Sequence, residues 1–367
     1  MDKKIIDVCS QVYSGGTPNS RHDEYYANGI IPWLNTGEIS FNRIRKTEKY
    51  ITEAGYNNSS AKWVPANSVI VAMYGATAGK VAITKIPLTT NQACCNLIIN
   101  KEIADYRYVY YFLCNKYIEL ASLANGGAQQ NLNAGQIKDF PIALPELKMQ
   151  TKIADLLSML DDKIELNNEI NNNLYEQAVA LFNNDFPDIF SGNKAVGDYI
   201  VPKRGKSLLS KDAVLGKVPV VAGGLEPSTY HNVSNTTAPV ITISASGANA
   251  GYVNLWHTPV WSSDSSFIDA KMTPYVYFWY ILLKKRQKEI YDSQTGSAQP
   301  HIYPQHIASI EIQELNLEKV NTFESQVKAI FELIGHNIVE NSSLIEARNT
   351  LLPKLISGEI DVTDFDI

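Results

Sequence analysis

The chain contains two copies of one long sequence pattern, about 170 residues apart. Residues 126–132 read GGAQQNL and residues 296–302 read GSAQPHI, an offset of 170. Residues 75–81 read GATAGKV and residues 247–253 read GANAGYV, an offset of 172. A copy of this length corresponds to a domain rather than to one repeat of a solenoid. We therefore expect two tandem domains related by pseudo-symmetry.

Each copy combines short β-prone runs with one helix-like stretch. The runs at 68–73, 81–84 and 239–243 predict strands, and the stretches at 106–123 and 274–291 predict helices. This mixture predicts the α+β class for both domains. The predicted limits are a first globular domain at 1–145, a helix at 146–185, a second globular domain at 186–315, a second helix at 316–358 and a tail at 359–367.

The two long helices carry apolar residues spaced alternately four and three apart, which is typical of a coiled-coil seam. Each helix would be roughly 50 Å long, and we expect the two to pair antiparallel. Asn167 and Asn341 occupy equivalent seam positions, where antiparallel pairing would bring them face to face and set the register; an Asn that only tolerates a wet seam is the alternative. Pro353 is expected to bend or end the second helix. The seam residues are Ile153, Leu157, Leu160, Ile164, Asn167, Asn171, Leu174, Ala178 and Leu181, and Val320, Phe323, Val327, Ile330, Ile334, Ile338, Asn341, Ile345, Leu352 and Leu355.

Charged residues are distributed unevenly along the chain. The net charge is −6, but residues 1–145 and 186–315 together carry +4, and residues 146–185 and 316–367 together carry −10. The acidity thus belongs to the predicted helical regions, which leaves the globular regions open to an anionic partner. No run is long and apolar enough for a membrane span, and the N-terminus lacks a signal-peptide pattern, so we expect a cytoplasmic protein. The four cysteines form no CxxC pair, and we expect no metal site.

The sequence shows no recognisable catalytic constellation. The segment at 75–80 has three residues between its glycines and no Ser or Thr after the lysine, so it predicts a tight turn rather than a phosphate-binding loop. The six histidines are scattered, and no serine or cysteine lies in a nucleophile motif. Asn91 and Asp264 match each other in the repeat, and a turn role is the simplest interpretation. We predict no catalytic residues and no cofactor bound to this chain.

Amides, hydroxyls, aromatic rings and cations lie near the repeated Gly and Gln segments. Arg and Lys side chains bind guanine or phosphate, and Asn and Gln bind adenine. The predicted DNA-binding residues are Arg21, His22, Asn35, Thr36, Arg43, Arg45, Lys46, Tyr74, Thr77, Lys80, Gln129 and Gln130 in the first copy, and Lys203, Arg204, Lys206, Ser246, Asn249, Tyr252, Gln299, His301 and Tyr303 in the second.

This combination resembles the specificity subunit of Type I restriction-modification enzymes, and the resemblance covers nearly the whole chain. It rests on the doubled segment that contains Gln129 and Gln299, each copy followed by a strand and a long helix. Three further features resemble that family. They are the start of the first long helix, at 144–154 and 160–164, the end of the second long helix, at 351–360, and the glycine turns at 75–79 and 247–251. The order and duplication of these segments make the combination specific.

The resemblance implies that each globular domain is a target-recognition domain that reads one half of a bipartite site in double-stranded DNA. It implies that the helices set the spacer and dock two methyltransferase subunits, through which restriction subunits join. S-adenosylmethionine, and ATP with Mg²⁺, would bind to those partners. This chain would be a non-catalytic subunit of the adenine methyltransferase and restriction complex. In agreement with this, the sequence contains no Asn-Pro-Pro-Tyr or Asn-Pro-Pro-Phe tetrad and no Walker motif.

Two other classes remain open from the residues alone. One is a non-catalytic coiled-coil adaptor whose two domains bind protein or carbohydrate, and the other is a self-sufficient enzyme. Steep salt dependence of binding would favour DNA, because phosphate contacts release counterions. The bases read and the spacer length depend on loop conformation and DNA shape, which composition does not determine.

Overall fold

The computed structural model describes residues 3–124, 131–296 and 299–363. The chain divides into two compact units, of which unit 1 comprises Met1–Ile164 with Ser343–Ile367 and unit 2 comprises Glu165–Ser342. Each unit contains one globular part and one segment from each of two long helices. The domain limits drawn from the sequence differ from this division because each helix contributes to both units, and those limits remain predictions.

Among the residues that the structure describes, the globular part of unit 1 contains a main sheet of five strands and smaller sheets of four and two strands. All four residues of the strand Val69–Ala72 are buried, and such an unbroken β-branched run is typical of a central strand covered on both faces. Val69 and Val71 face one core cluster, and Ile70 and Ala72 face another. The strands are β1 (Lys3–Lys4), β2 (Cys9–Ser14), β3 (Ile31–Leu34), β4 (Asn42–Ile44), β5 (Lys49–Ile51), β6 (Trp63–Val64), β7 (Val69–Ala72), β8 (Val81–Thr84), β9 (Leu88–Thr90), β10 (Cys94–Ile99) and β11 (Pro141–Ile142). The main sheet has the strand order β2-β10-β7-β8-β4, and the smaller sheets have the orders β5-β3-β9-β6 and β1-β11.

Four short α-helices belong to the described residues of this globular part. Asp105 precedes the helix Tyr106–Asn115, and its carboxylate accepts a hydrogen bond from the backbone N–H of Arg107 at 2.8 Å. This bond satisfies one of the free N–H donors of the first helical turn. Asn133 and Gln136 form a reciprocal capping box at the fourth helix. The helices are α1 (Glu53–Asn57), α2 (Tyr106–Asn115), α3 (Tyr117–Ser122) and α4 (Ala134–Asp139).

The described residues of the globular part of unit 2 form the strands β12 (Lys194–Ala195), β13 (Lys203–Arg204), β14 (Val218–Val221), β15 (Thr229–His231), β16 (Val240–Ser244), β17 (Val253–Trp256), β18 (Trp261–Ser262), β19 (Ser265–Asp269) and β20 (Glu311–Ile312). The main sheet of this unit has the strand order β13-β19-β16-β17, and smaller sheets have the orders β15-β14-β18 and β12-β20. Between the long helices α5 (Leu147–Asp185) and α9 (Leu317–Ser357), the chain forms α6 (Val276–Lys285), α7 (Gln287–Asp292) and α8 (Pro304–Ala308).

The two units share one strand order. The order β2-β10-β7-β8 in unit 1 corresponds to β13-β19-β16-β17 in unit 2, and β5-β3-β9 corresponds to β15-β14-β18. The pairing directions agree as well, because β3 is antiparallel to β5 and parallel to β9, as β14 is to β15 and β18. The duplicated α+β fold predicted from the sequence is therefore confirmed.

Within unit 1, the segments of α5 and α9 run antiparallel. Asp161 accepts a hydrogen bond from Arg348 at 2.7 Å, and Lys152 donates to the carbonyl of Thr363, beyond the end of α9, at 2.6 Å. Lower numbers on one segment thus meet higher numbers on the other. Leu157 and Leu355 are buried in the same core cluster as the α2 helix, so the helix pair is continuous with the core of the globular part.

Within unit 2, the segments of the same helices are antiparallel too. Asn167 donates to Asn341 at 2.8 Å, and the rings of Phe182 and Phe323 pack with centroids 5.6 Å apart. Phe182 and Phe323 belong to a core cluster that also contains Phe278 of α6. The antiparallel pairing expected from the apolar stripes is confirmed in each unit. Two of the predicted seam residues are not in the seam, because Ile338 is 46% exposed and Ile345 is 39% exposed.

Two local expectations differ from the structure. The stretches 106–123 and 274–291 each form two helices, because Lys116 (φ −95°, ψ 14°) and Arg286 (φ −93°, ψ 12°) leave the helical conformation at equivalent places. Pro353 does not end α9, which continues to Ser357. The helix ends at Gly358, whose φ of +76° suits glycine at this position.

Candidate nucleic-acid interface

In unit 1, five loops meet at one end of the main sheet, and we call them loop cluster 1. Backbone hydrogen bonds join them: Gly16 N–H donates to Thr90 O at 2.9 Å, Asn91 N–H to Leu34 O at 3.0 Å, and Leu132 N–H to Met73 O at 2.8 Å. These bonds hold together the loop after β2, the loop after β3, the turn between β7 and β8, the segment before β10 and the segment before α4. Loop cluster 1 comprises residues 15–22, 35–41, 73–80, 91–93 and 131–133.

The turn at 75–79 has the conformation expected from its glycines. It forms a single 3-10 turn between β7 and β8, with φ values of +74° at Gly75 and +83° at Gly79. Tyr74, which is 44% exposed, pairs with Asn131 through an isolated β-bridge. Thr77 lies on the same turn, and the Lys80 ammonium lies 6.0 Å from the ring centre of Phe41. The predicted residues Tyr74, Thr77 and Lys80 are therefore brought together.

Asn35 and Thr36 lie in loop cluster 1 as well. The backbone N–H of Asn35 donates to the Glu38 carboxylate at 3.0 Å, and the Asn35 side-chain oxygen accepts from the Asn91 amide at 3.3 Å. Thr17 is hydrogen-bonded to Gln92 beside them. This gathers amide side chains from two loops, and sequence reasoning missed the contributions of Gln92 and Thr17.

Arg21 and His22 are exposed on the loop that follows β2. The His22 ring is hydrogen-bonded to Glu24 at 2.8 Å and stacks on Tyr25 with centroids 4.8 Å apart. Gln129 and Gln130 lie outside the described residues. DNA contact by any of these four residues stays a prediction.

Arg43 has a different setting from the other candidates. Its side chain is only 5% exposed and forms ion pairs with Asp162 and, at 3.9 Å, Asp161 on α5. This guanidinium therefore connects β4 to α5, and its burial and ion pairs do not favour contact with DNA. Arg45 and Lys46 are exposed and follow β4. The end of β4 pairs with Thr84, which lies at the end of β8 that is farther from the 75–79 turn. The structure therefore does not bring them to loop cluster 1.

In unit 2, the equivalent loops meet in the same way, and we call them loop cluster 2. Ser263 N–H donates to Val221 O at 2.8 Å, Ala245 N–H to Asp264 O at 3.1 Å, and Ile302 N–H to Ala245 O at 2.9 Å. Loop cluster 2 comprises residues 204–207, 222–224, 244–252, 262–264 and 299–303.

An ion pair lies at the centre of loop cluster 2. Arg204 Nη2 is 2.6 Å from Asp264 Oδ1, and the hydroxyl of Ser246 donates to the other oxygen of the same carboxylate. The side chains of Arg204 and Asp264 are 43% and 37% exposed, so the pair faces solvent. Asp264 is a site residue that the sequence interpretation assigned to a turn.

The strand register also corrects the match between Asn91 and Asp264. The hydrogen bond from Asn91 N–H to Leu34 O corresponds to the one from Ser263 N–H to Val221 O. The hydrogen bond from Met73 N–H to Ala93 O corresponds to the one from Ala245 N–H to Asp264 O. The structural counterpart of Asp264 is therefore Ala93, because unit 1 has one more residue before β10.

The other predicted residues of unit 2 lie in loop cluster 2 or next to it. His301 pairs with Ser246 through an isolated bridge, and its ring stacks on that of Tyr303, which is 50% exposed, with centroids 6.1 Å apart. Gln299 is exposed, Asn249 lies on the 247–251 turn, and Lys203 and Lys206 are exposed on either side of Arg204 and Gly205. Tyr252 is covered by Lys284, whose ammonium lies 4.3 Å from the ring centre.

The basic run at 284–288 is engaged inside unit 2. Lys284 donates to Val253 O at 2.8 Å, and burial lowers its pKa. Arg286 pairs with Glu289 at 2.7 Å, and Lys288 pairs with Asp292 at 2.6 Å. Two of the four cations in this run, Arg286 and Lys288, are therefore paired locally with carboxylates.

The remaining chemistry of the described residues is structural. Burial raises the pKa of the Cys9, Cys95 and Cys114 thiols to about 12 and raises that of Cys94 as well, which keeps them protonated. Among residues 3–124, 131–296 and 299–363, no group of three or more His, Cys, Asp or Glu side chains is arranged to hold a metal ion. No helix in the described part of the chain is long and apolar enough to cross a membrane.

The fold and the loops define a protein with a duplicated α+β unit, each copy presenting polar loops at the same end of its main sheet. Residues 1–176 match the family model described as the Type I restriction modification DNA specificity domain. The chain is 28% identical over 417 residues to the Type I restriction enzyme MjaIX specificity subunit of Methanocaldococcus jannaschii, which covers 99% of this chain and 94% of that protein. It is also 28% identical over 334 residues to a type I specificity subunit of Mycoplasma pneumoniae, covering 83% of this chain and 86% of that protein.

A solved structure has the same fold. The crystal structure of a Type-I restriction-modification system S subunit from M. genitalium matches with a TM-score of 0.63 at 19% identity, over 97% of this chain and 95% of that chain. Over nearly its whole length the chain is therefore similar to specificity subunits of Type I restriction-modification systems.

Proposed function

We propose that this chain gives a Type I restriction-modification complex its DNA sequence specificity. The globular part of each unit recognises one half of a bipartite site in double-stranded DNA, through loop cluster 1 in unit 1 and loop cluster 2 in unit 2. The helices α5 and α9 set the spacer between the halves and dock two methyltransferase subunits. The adaptor alternative has no observation in its favour.

The observation that carries this proposal is the duplicated strand order with unlike loop residues. The main sheets share the orders β2-β10-β7-β8 and β13-β19-β16-β17, yet Tyr74 stands where Ser246 does and Ala93 where Asp264 does. One scaffold that carries two different sets of polar side chains suits the reading of two different sequences. The net charge of +4 in residues 1–145 and 186–315 also favours phosphate contacts by the globular parts.

The helices supply an apolar surface for partner subunits. On the unit 2 segments, the exposed side chains include Leu166 (51%), Leu333 (45%) and Ile338 (46%). On the unit 1 segments, Met159 is 59% exposed and Ile345 is 39% exposed. Large apolar side chains that recur on exposed helix faces are typical of protein interfaces. We propose that they contact the methyltransferase subunits.

Docking is tested with L166E, which places a charge on this surface. We expect the variant to fold and to recover less methyltransferase than the native chain when the two are co-purified, because a buried unpaired carboxylate is costly. The matched control is Q326E, which adds the same charge at an exposed position of α9. Equal recovery with both variants would remove Leu166 from the proposed interface.

We further propose that this chain is not itself catalytic. Methyl transfer to adenine from S-adenosylmethionine, and cleavage driven by ATP with Mg²⁺, would belong to the methyltransferase and to restriction subunits that join through it. The description of the matching family model as a DNA specificity domain supports this division.

The proposal is tested by single-molecule sequencing of adenine methylation in cells that carry the chain with its methyltransferase. Cells that lack only this chain are the control. We expect a bipartite methylated motif that disappears with the chain. An unchanged pattern of methylation would show that another protein determines specificity.

A further inference from the structure

The ion pair in loop cluster 2 holds one guanidinium in a defined position. Arg204 Nη2 lies 2.6 Å from Asp264 Oδ1, and Ser246 is hydrogen-bonded to Asp264 Oδ2, so both carboxylate oxygens are engaged. Because Ser246 holds one oxygen of the Asp264 carboxylate, the other oxygen restrains the position of the Arg204 guanidinium. Such restraint reduces the entropy lost when the arginine binds a ligand.

The surrounding backbone leaves this arrangement little freedom. A Cβ atom on Gly223 would lie 2.5 Å from Ser246 O, and one on Gly205, next to Arg204, would collide with Ser262 O. The loops that carry the three side chains are thus in close backbone contact. Side chains placed on rigid, closely packed backbone are suited to geometric recognition.

Electrostatics favours a base edge over a phosphate as the partner of Arg204. The carboxylate of Asp264 cancels the net charge of the guanidinium and would repel an approaching phosphate. The pairing still leaves several of the five N–H donors of Arg204 for other acceptors. The edge of guanine offers two neutral acceptors, O6 and N7, in the spacing that an arginine fork matches.

The geometry points to Arg204 as a guanine-reading residue of unit 2, held in place by Asp264 and Ser246. This assignment rests on the proposed function and names one base of the half-site that loop cluster 2 recognises. It is specific to unit 2, because the strand register places Ser14 of unit 1 at the position of Arg204. Tyr74 and Ala93 take the places of Ser246 and Asp264. The two half-sites should therefore differ at this base.

The test compares the methylated motif in cells carrying the native chain, R204A, R204K or D264N. The matched control is K271A, which removes an exposed cation at the opposite end of β19 in the same unit. The half-site read by unit 1 serves as an internal control for folding and assembly in every variant.

We expect R204A to make one G·C pair of one half-site degenerate while the other half-site stays intact. Discrimination at that pair should fall between about fivefold and 150-fold, the range for losing one bidentate base contact. R204K should relax the same pair, because lysine is a point charge without the fork. D264N should do so too, since it releases the arginine, whereas K271A should leave the motif unchanged.

Three results would overturn the assignment. The motif could stay intact in both Arg204 variants, or methylation could decline evenly at all sites, which is the signature of a phosphate contact. Complete loss of methylation with both variants would also overturn it, because one base contact is too small a contribution. If the native chain produced no bipartite motif, the proposed function itself would fail, and this result is distinct from the other three.

Discussion

The Asn167 amide donates a hydrogen bond to Asn341 Oδ1 at 2.8 Å, and both side chains are buried, with 1% and 8% exposed. Asn167 also donates to Glu340 at 2.7 Å, and Asn341 donates to Asn168 at 2.9 Å. One helical turn away, Asn337 donates to Asn171 at 2.8 Å. The seam inside unit 2 is thus polar at its centre, and the facing positions expected for the two asparagines are observed. That this pair sets the register remains a prediction.

We predict that N167L and N341L are strongly coupled. Either single substitution removes the hydrogen bond between the two buried amides and leaves the remaining amide with fewer partners, which should lower the free energy of unfolding by about 1–3 kcal/mol. The double variant N167L/N341L replaces the pair with apolar side chains and should regain stability, because a buried polar pair costs stability relative to well-packed leucines. Urea unfolding of the four proteins measures the coupling.

An unsatisfied oxygen in the pair is the reason to expect that the double variant is more stable than either single variant. Asn167 Oδ1 is buried and has no hydrogen-bond partner among the described residues. If the effects of the two single substitutions simply add, the asparagines do not act as a pair and the register interpretation loses its basis.

Glu324 makes the stability of unit 2 depend on pH. Its carboxylate accepts the backbone N–H groups of Tyr277 at 3.0 Å and Phe278 at 2.8 Å, at the start of α6, which has no side-chain cap of its own. Burial raises the pKa of Glu324 from 4.5 to about 7, against the effect of these two hydrogen bonds. The folded state therefore binds the proton more tightly than the unfolded state does.

Because the folded pKa is the higher one, the stabilisation is fully present below about pH 4.5 and is lost as the pH rises towards 7. We expect the native chain to lose up to about 3 kcal/mol of stability relative to E324Q over this range. E332Q, at an exposed position of the same helix, is the control and should show no such trend. Parallel stability curves for the native chain and E324Q would contradict the burial argument.

Arg43 is predicted to contribute to stability rather than to DNA recognition. Asp161, which it faces at 3.9 Å, also accepts Arg348 Nη1 at 2.7 Å and the hydroxyl of Tyr111 at 2.6 Å. R43A leaves this buried carboxylate with fewer partners and should lower the free energy of unfolding by roughly 3 kcal/mol. K46A, at an exposed neighbouring position, should change it by less than about 0.5 kcal/mol.

The same variants separate the two roles of Arg43. At a temperature where R43A is folded, its methylated motif should equal that of the native chain. A motif that changed at one base would return Arg43 to the DNA-binding residues.

Features that depend on local sequence were predictable. The glycines of the 75–79 turn, the apolar stripes of the long helices and the facing asparagines all follow from periodicity and backbone conformation, which are encoded within short windows. The duplicated architecture followed from the repeat itself. These features define the scaffold on which the candidate sites lie.

Features that depend on tertiary partners were not predictable. Arg43 and Lys284 look like exposed cations in the sequence, yet one is paired with α5 and the other donates to Val253 O. Glu324 caps a helix that begins 48 residues earlier, at Val276. The role of Asp264 was hidden because one extra residue before β10 shifts the alignment of the two copies.

A change in helix length tests whether α5 and α9 form a spacer between two sequence-reading units. Removing seven residues from α5 and the facing seven from α9 keeps the heptad phase and shortens the pair by roughly 10 Å, or about three base pairs. Adenine methylation in cells carrying this variant should show the same two half-sites with a spacer shorter by about that amount. Unchanged spacing, or half-sites of altered sequence, would contradict the account.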